Sequence, residues 1–542
     1  MMTVFVFCAV CLLPMMAMRD FTPSNELRYL SIADEAIANG HLFAFYNHGI
    51  PYADKPPLYF WIVMLCRLLF GHHSCLALSM FSLIPAFAIV GIMDRWVMKG
   101  KSAMNRMSVA GMTLTCVMFL GTMVVLRMDM LMCLFIVLAL WTFYRMYTGE
   151  GSRRQDSLTL PLWIFLALFT KGPVGLLMPP LAIAVFLAVK RDWKGFRKYL
   201  GLKTWGIIAA LSAVWLTCVW LEGGLEYINN LLFKQTVGRA VNAFTHARPF
   251  WFYLVTILWC LAPYTLLLIG SFMASLLPVR KAGAEKVSDL EILFLCTIIS
   301  TAAMLSSFSS KLPIYLVPFL PFCVYLFPTV LDRIGERGWM RWSVGIFQIL
   351  LLCAGIATLL FLSGSVTIPA AACLLDEYSF AREAPVVNAV ILLTLANAMG
   401  TWFLIKRKSV NIPVLLLSAG LFLAAFSASA VLRDLNPYIG YGSICSRVPE
   451  GTDVATIFLH RPENIDVYTG RQITDFRDDP AKLSEAVKAH IELTGKNVGS
   501  GRPLTIITRT SRMETTPELQ KLLSEGTVIY AGPYCLTTIS RK

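Results

Sequence analysis

The sequence predicts an α-helical polytopic membrane protein. It has about 13 transmembrane helices, interfacial helices in the first outer loop, and a small α/β domain at its C-terminal end. Three observations carry this. Hydrophobic residues make up 57% of the 542 residues and charged residues only 15%, well below the roughly 25% of soluble chains. Apolar runs of about 18 residues or more recur along most of the chain. Near residue 433 this pattern stops, and polar residues, Gly and Pro rise.

The spans fall near residues 1–18, 75–98, 104–125, 129–147, 159–170, 174–189, 204–221, 250–277, 289–308, 312–331, 342–362, 386–405 and 411–432. The first run lacks a basic start and a small-residue cleavage site, so it reads as a retained span and not a cleaved signal. The short runs on either side of Lys171-Gly-Pro173 could be one broken helix, which would invert everything after them. Charge decides between the two. With two spans, one set of alternate loops holds Lys99, Lys101 and Arg106; Arg153 and Arg154; and Lys190, Arg191, Lys194, Arg197, Lys198 and Lys203. The same side later holds Arg280, Lys281 and Lys286; Arg333, Arg337 and Arg341; and Lys406, Arg407 and Lys408. Basic loops mark the cytoplasmic side, so the N-terminus is inside and the C-terminus outside. The formal charge of +14 is therefore topological and does not point to nucleic acid.

The outer side receives residues 19–74, 222–249, 363–385 and 433–542. In the first loop, Leu27, Leu30, Ile32, Ala33, Ala36 and Ile37 give an amphipathic helix suited to an interface. Lys55-Pro-Pro57 opens a further apolar helix through Leu69, because proline fits a helix's first turn. Residues 1–432 read as the membrane unit and 433–542 as the outer α/β domain. In the latter, Val454–Leu459 and Leu504–Ile507 read as strands, Ala481–Leu493 and Pro517–Leu523 as helices, and 528–539 as a closing hairpin. Cys445 and Cys535 could pair there; most other cysteines lie in apolar spans as small hydrophobes.

Ionisable groups beside hydrocarbon are costly and usually functional. The first loop carries Asn25, Glu26, Arg28, Tyr29, Asp54 and Lys55. Lys55, Arg127, Lys171 and Lys311 break the charge rule by falling at outer span ends. Together they suit a lipid phosphate, and Lys55 also precedes a helix N-terminus that favours anions. Snorkelling and helix–helix ion pairs are the bland alternative. Asp129 beside Arg127 is either a structural pair or an acid that orients another group. Asp54 with His246 is a candidate pair for a divalent metal ion, although no dense ligand spacing supports it. The Walker loop, the dinucleotide fingerprint and the Gly-x-Ser-x-Gly elbow are absent, which disfavours a nucleotide-driven pump and an elbow-type hydrolase.

These residues carry a resemblance. Asn25-Glu-Leu-Arg-Tyr29, Tyr52-Ala-Asp-Lys-Pro-Pro-Leu58, Arg127-Met-Asp129, Thr170-Lys-Gly-Pro-Val-Gly175, His246-Ala-Arg-Pro-Phe-Trp-Phe-Tyr253 and Ser309-Ser-Lys-Leu-Pro-Ile-Tyr-Leu-Val-Pro318 resemble the polytopic GT-C glycosyltransferases. Within that class the likeness is to the ArnT-like aminoarabinose transferases and the protein O-mannosyltransferases. It covers residues 1 to about 430. It implies sugar transfer from a polyprenyl (undecaprenyl) phosphate carrier to a lipid A-like, glycan or protein acceptor, on the periplasmic face of a bacterial inner membrane. In that reading Lys55, Arg28, Tyr29, Arg127, Lys171 and Lys311 hold the donor phosphate, and Glu26, Asn25, Asp54 and Asp129 are the catalytic candidates. No cofactor beyond the candidate divalent ion is implied.

One departure matters. The resemblance puts an aspartate where this chain has Asn25, and asparagine cannot act as a base. Glu26 or Asp54 could replace it, the acceptor could already be ionised, or catalysis could be weakened. The second needs no displaced residue and is preferred. A lipid-linked sugar flippase is the reading from another class; transporters tend to show repeats and midplane charges, which this chain lacks. A receptor with the C-terminal tail as its binding module is a third.

Overall fold

Every apolar segment singled out above is helical over most of its length in the computed structural model. The structure describes all residues except 234–246, 278–285, 367–368, 370–372, 374, 376–377, 408, 472, 496–501, 524–525 and 540–542. The membrane part opens with α1 (Met2–Met18). After a short turn of helix at Pro23–Leu27 come α2 (Arg28–Asn39), a two-stranded hairpin of β1 (Tyr46–Asn47) and β2 (Ile50–Pro51), and α3 (Leu58–Phe70). It continues through α4 (Cys75–Val97), α5 (Ala103–Thr115), α6 (Val117–Met123), α7 (Asp129–Thr148), α8 (Arg153–Lys171), α9 (Pro173–Val189), α10 (Trp193–Tyr199) and α11 (Leu202–Asn229). Beyond these lie α12 (Phe252–Cys260), α13 (Thr265–Leu276), α14 (Asp289–Ser307), α15 (Leu320–Ile334), α16 (Gly338–Leu362), α17 (Ala384–Arg407) and α18 (Asn411–Ala428).

Among the described residues eight helices are long and apolar enough to cross a membrane, or up to ten if two bent pairs each count as one span. The protein is thus a polytopic membrane protein, with fewer unbroken spans than the 13 segments expected. The shortfall has a local cause. Several segments are short or interrupted: α5 and α6 meet at a 73° bend, and α12 and α13 are separate helices within one apolar run. The break at Lys171-Gly-Pro173 is real. Gly172 sits at φ 107°, a conformation only glycine adopts readily. A Cβ on Gly175 would lie 2.3 Å from the Ala167 carbonyl, so glycine is what lets α8 and α9 pack as a tight hairpin.

After α18 the chain passes through α19 (Leu432–Ile439) into a five-stranded sheet of order β4-β3-β5-β7-β6. Its strands are β3 (Asp453–Thr456), β4 (Thr474–Asp475), β5 (Leu504–Arg509), β6 (Val528–Ala531) and β7 (Tyr534–Ile539). β3 pairs parallel with β4 and β5, and β7 antiparallel with β5 and β6. Alternation along the strands sends side chains to two different cores. Ala455, Ile506 and Ile539 pack with Leu483 and Val487 of α20 (Pro480–Gly495) and Leu519 of α21 (Pro517–Leu523). Val454, Ile507 and Leu536 pack with Leu27, Leu30 and Phe60 of the first outer loop. The apolar stripe of α2 is therefore covered by α3 and by this sheet. A stripe alone does not distinguish a lipid surface from a protein partner. Cys445 and Cys535 are separate buried thiols, so the pairing considered above does not form.

Candidate active site

The first outer loop, the α6–α7 turn, the α8–α9 turn and the segment after α14 converge on one cluster. Pro56 and Pro57 preset the start of α3, and the residue before them, Lys55, is held there. Its Nζ lies 2.9 Å from Asp54 Oδ2 and also donates to the Asp54 carbonyl at 3.3 Å. Tyr52 donates its hydroxyl to the same carboxylate oxygen at 3.2 Å. Burial pulls the Lys55 ammonium down, but Asp54 and the neighbouring Tyr29 and Tyr315 phenols outweigh it and hold it above the ordinary lysine value. Lys55 is therefore a firm cation.

Lys171, at the end of α8, pairs with Asp129 at the start of α7. Its ammonium also sits 4.8 Å from the centre of the Tyr315 ring, a cation–π distance. Lys55 and Arg127 both lie close enough to act on Lys171 by their charge. Arg28 is stacked over Tyr52 at 5.4 Å and takes a hydrogen bond partner in Asn25 Oδ1 at 3.2 Å. Tyr29 is buried edge-on to Tyr59 and Phe60. Four cations thus face two carboxylates, Asp54 and Asp129, and the cluster is net positive. Among the described residues no hydrogen bond or ion pair engages the Arg127 guanidinium, while Ser82 grips its backbone from both sides.

Two candidates from the sequence lie outside this cluster's chemistry. Lys311 is 4% exposed and spends its ammonium on main-chain carbonyls, of Arg248 at 3.1 Å and of Phe308. It ties the C-terminal end of α14 to the segment at Arg248. Glu26 is 1% exposed, and both its oxygens are engaged. Arg19 binds it bidentately at 2.7 and 2.8 Å, and the amides of Thr22 and Leu126 donate at 2.8 and 2.7 Å. Burial pushes the Glu26 carboxyl up, but the Arg19 hydrogen bond and charge, with those amides, outweigh it and hold the carboxyl below its ordinary value. A carboxylate so satisfied is a structural knot tying the end of α1 to the turn that presents Arg127. Arg19 and Tyr315 were not singled out from sequence. The only signal for Arg19 was a lone basic residue at the end of an apolar run with an acid seven residues on.

The metal pair considered above falls partly outside the described residues. Asp54 is committed to Lys55 and Tyr52, and His246 lies outside the described residues. Among the described residues no three His, Cys, Asp or Glu side chains gather as a metal site.

Comparison with known proteins fits this picture. Residues 54–221 match the family model described as dolichyl-phosphate-mannose-protein mannosyltransferase. The chain is 24% identical over 349 residues to an undecaprenyl phosphate-alpha-4-amino-4-deoxy-L-arabinose arabinosyl transferase of Edwardsiella ictaluri, covering 62% of this chain and 60% of that protein. A transferase of the same name from Shewanella sediminis is 28% identical over 273 residues, 48% of each chain. In each the match spans less than two thirds of the relative's own length. The crystal structure of ArnT from Cupriavidus metallidurans bound to undecaprenyl phosphate superposes with a TM-score of 0.72 at 18% identity, over 99% of this chain and 97% of that one. The chain therefore shares the fold of that structure over nearly its whole length, and residues 54–221 resemble that family model.

Proposed function

We propose that this chain is a glycosyltransferase of the bacterial inner membrane. It moves a sugar from a polyprenyl phosphate carrier, of the undecaprenyl type, to a lipid A-like or glycan acceptor at the periplasmic face. In this reading residues 1–432 form the transferase unit and 433–542 the outer α/β domain. The observation that carries it is the net-positive cluster of Lys55, Arg127 and Lys171, in which the Arg127 guanidinium has no partner within the described protein. Named relatives that use an undecaprenyl phosphate sugar support the same chemistry.

The reaction breaks the bond between the anomeric carbon and the carrier phosphate oxygen and forms one from that carbon to an acceptor oxygen, with inversion. The bonding pair leaves with the carrier phosphate. Lys55, Arg127 and Lys171 stabilise the charge that grows there, the kind of preorganised electrostatics that dominates many enzymes. Arg28 and Tyr29 flank the phosphate, and Asn25 orients Arg28. Glu26, Asp54 and Asp129 are each tied to a cation: Arg19, Lys55 and Lys171. That favours an acceptor that is already anionic and needs no base.

The purified chain, given an undecaprenyl phosphate-linked aminopentose and lipid A, should release free carrier and raise the acceptor's mass by one sugar. Intact donor crossing a vesicle wall, with no transfer, would make it a flippase instead. Asn25→Asp adds a negative charge between two anionic substrates and should not raise the rate. A general base contributes about 10²–10⁴-fold, so a clear gain would move the acceptor to a hydroxyl. A reporter active only in the cytoplasm, fused at residue 542, should stay silent; signal there would reverse the face of the reaction.

A further inference from the structure

Where α1, α5 and α18 meet, the membrane part holds a crevice of about 330 Å³. Its rim is formed by Thr3, Met104 and Ile412, at the starts of the three helices. Those starts share one membrane face, where Asn411 of α18 donates to Asn105 of α5 at 2.8 Å. The cation cluster lies toward the other face. The knot that presents Arg127 is tied to Arg19, at the far end of α1, and Thr3 and Arg19 stand about 24 Å apart along that helix.

The crevice follows α18 from Ile412 to Phe422, about 15 Å at 1.5 Å per residue. That is the depth of one leaflet, half of the roughly 30 Å hydrocarbon core. Of the residues that line it, only Thr3 and Ser418 carry polar side chains. Thr3 is exposed at the rim. Ser418 donates to the Val414 carbonyl of its own helix at 2.9 Å. A Cβ on Gly111 would lie 2.9 Å from the Ser418 oxygen, so α5 and α18 touch at the floor. The walls offer nothing to a polar ligand and match a single hydrocarbon chain.

The rim is basic. Lys99 and Lys101 precede α5, and Lys406 and Arg407 end α17, just before the link into α18. The acids nearby are already engaged. Asp332 pairs with Lys101, and Asp94 with Arg106 at 3.0 Å. Glu336 accepts the Val410 amide beside the charge of Arg341. Lys99, Lys406 and Arg407 are exposed, and among the described residues no hydrogen bond or ion pair engages their side chains. Bilayer hydrocarbon would fill an apolar slot whatever headgroup it carried. Three free cations at the mouth select an anionic headgroup, since a zwitterionic one brings a cation of its own among them.

We propose that this crevice is a site for one anionic phospholipid of the basic membrane face. Its acyl chain lies between α1, α5 and α18, and its phosphodiester is held by Lys99, Lys406 and Arg407. The site is separate from the transferase cluster and independent of its chemistry.

The test strips the full chain of lipid in detergent and titrates it with phosphatidylglycerol, or with phosphatidylcholine of the same acyl chains. Native mass spectrometry counts the bound lipid. Wild type should bind one phosphatidylglycerol at least tenfold more tightly than phosphatidylcholine, and salt should shrink the preference. A basic residue beside anionic lipid contributes about fivefold. Lys99→Gln, Lys406→Gln and Arg407→Gln together should therefore erase the preference and leave phosphatidylcholine binding unchanged. All three side chains are exposed, so this variant should fold even if a crevice variant does not. Ala419→Phe, on the crevice wall, should weaken both lipids tenfold or more. Equal affinity of the wild type for the two lipids would overturn the site, as would undiminished phosphatidylglycerol binding in both variants. Displacement of phosphatidylglycerol by a tenfold lower concentration of undecaprenyl phosphate would overturn it and give the crevice to a carrier tail. A dimer in lipid-free detergent that Ala419→Phe breaks would overturn it and make the crevice an interface between copies.

Discussion

Replacing Glu26 with alanine should destabilise the protein by about 3–5 kcal/mol, the usual cost of leaving one partner of a buried ion pair alone. The partner left behind is Arg19, itself only 9% exposed. Loss of the carboxylate also removes the acceptor for the Leu126 amide, and with it the anchor of the turn that presents Arg127. Thermal unfolding in detergent measures the first effect. Replacing both Arg19 and Glu26 by apolar residues should restore part of the loss, because no unpaired charge remains. The pH dependence has a definite sign. The Glu26 carboxyl is held below its ordinary value, so its stabilisation is fully present above the ordinary glutamate range and is lost as pH falls through the depressed value. Glu26→Gln should flatten that part of the profile. If Glu26→Gln instead folds like the wild type and loses about 10²–10⁴-fold in transfer, Glu26 is a base and the structural role is wrong.

The contrast between Glu26 and Lys55 shows what a sequence can and cannot reveal here. The helices were legible because burial in lipid demands long apolar runs, and the Lys-Gly-Pro break was legible because only glycine turns so tightly. The cations at outer span ends were legible as exceptions to a charge rule. Which acid belongs to which cation was not. Glu26 sits beside Asn25 in sequence, yet its partner is Arg19 at the end of another helix. Lys311 looked equivalent to Lys171, but one caps carbonyls and the other faces Asp129 and Tyr315. Side-chain direction at a helix end depends on what packs against it, and a linear pattern does not record that. The same holds for α2, whose apolar stripe meets protein.

Lys55→Ala should raise the donor KM about 10- to 100-fold, with the acceptor KM unchanged. One charge-assisted hydrogen bond to a phosphate contributes roughly 1.5–3 kcal/mol, and each 1.4 kcal/mol is about tenfold in affinity. The structure sharpens what such a loss means. Lys55 is already paired with Asp54 at 2.9 Å, so removing it deletes a cation and also leaves Asp54 without its ammonium partner beside the carrier phosphate. Repulsion from that carboxylate would add to the lost attraction. Lys55→Ala combined with Asp54→Asn removes both charges and should therefore recover part of the donor affinity. Arg127→Ala removes a guanidinium that has no partner among the described residues and should lose donor affinity. Unchanged transfer at limiting donor in both Lys55→Ala and Arg127→Ala would move the carrier phosphate away from this cluster.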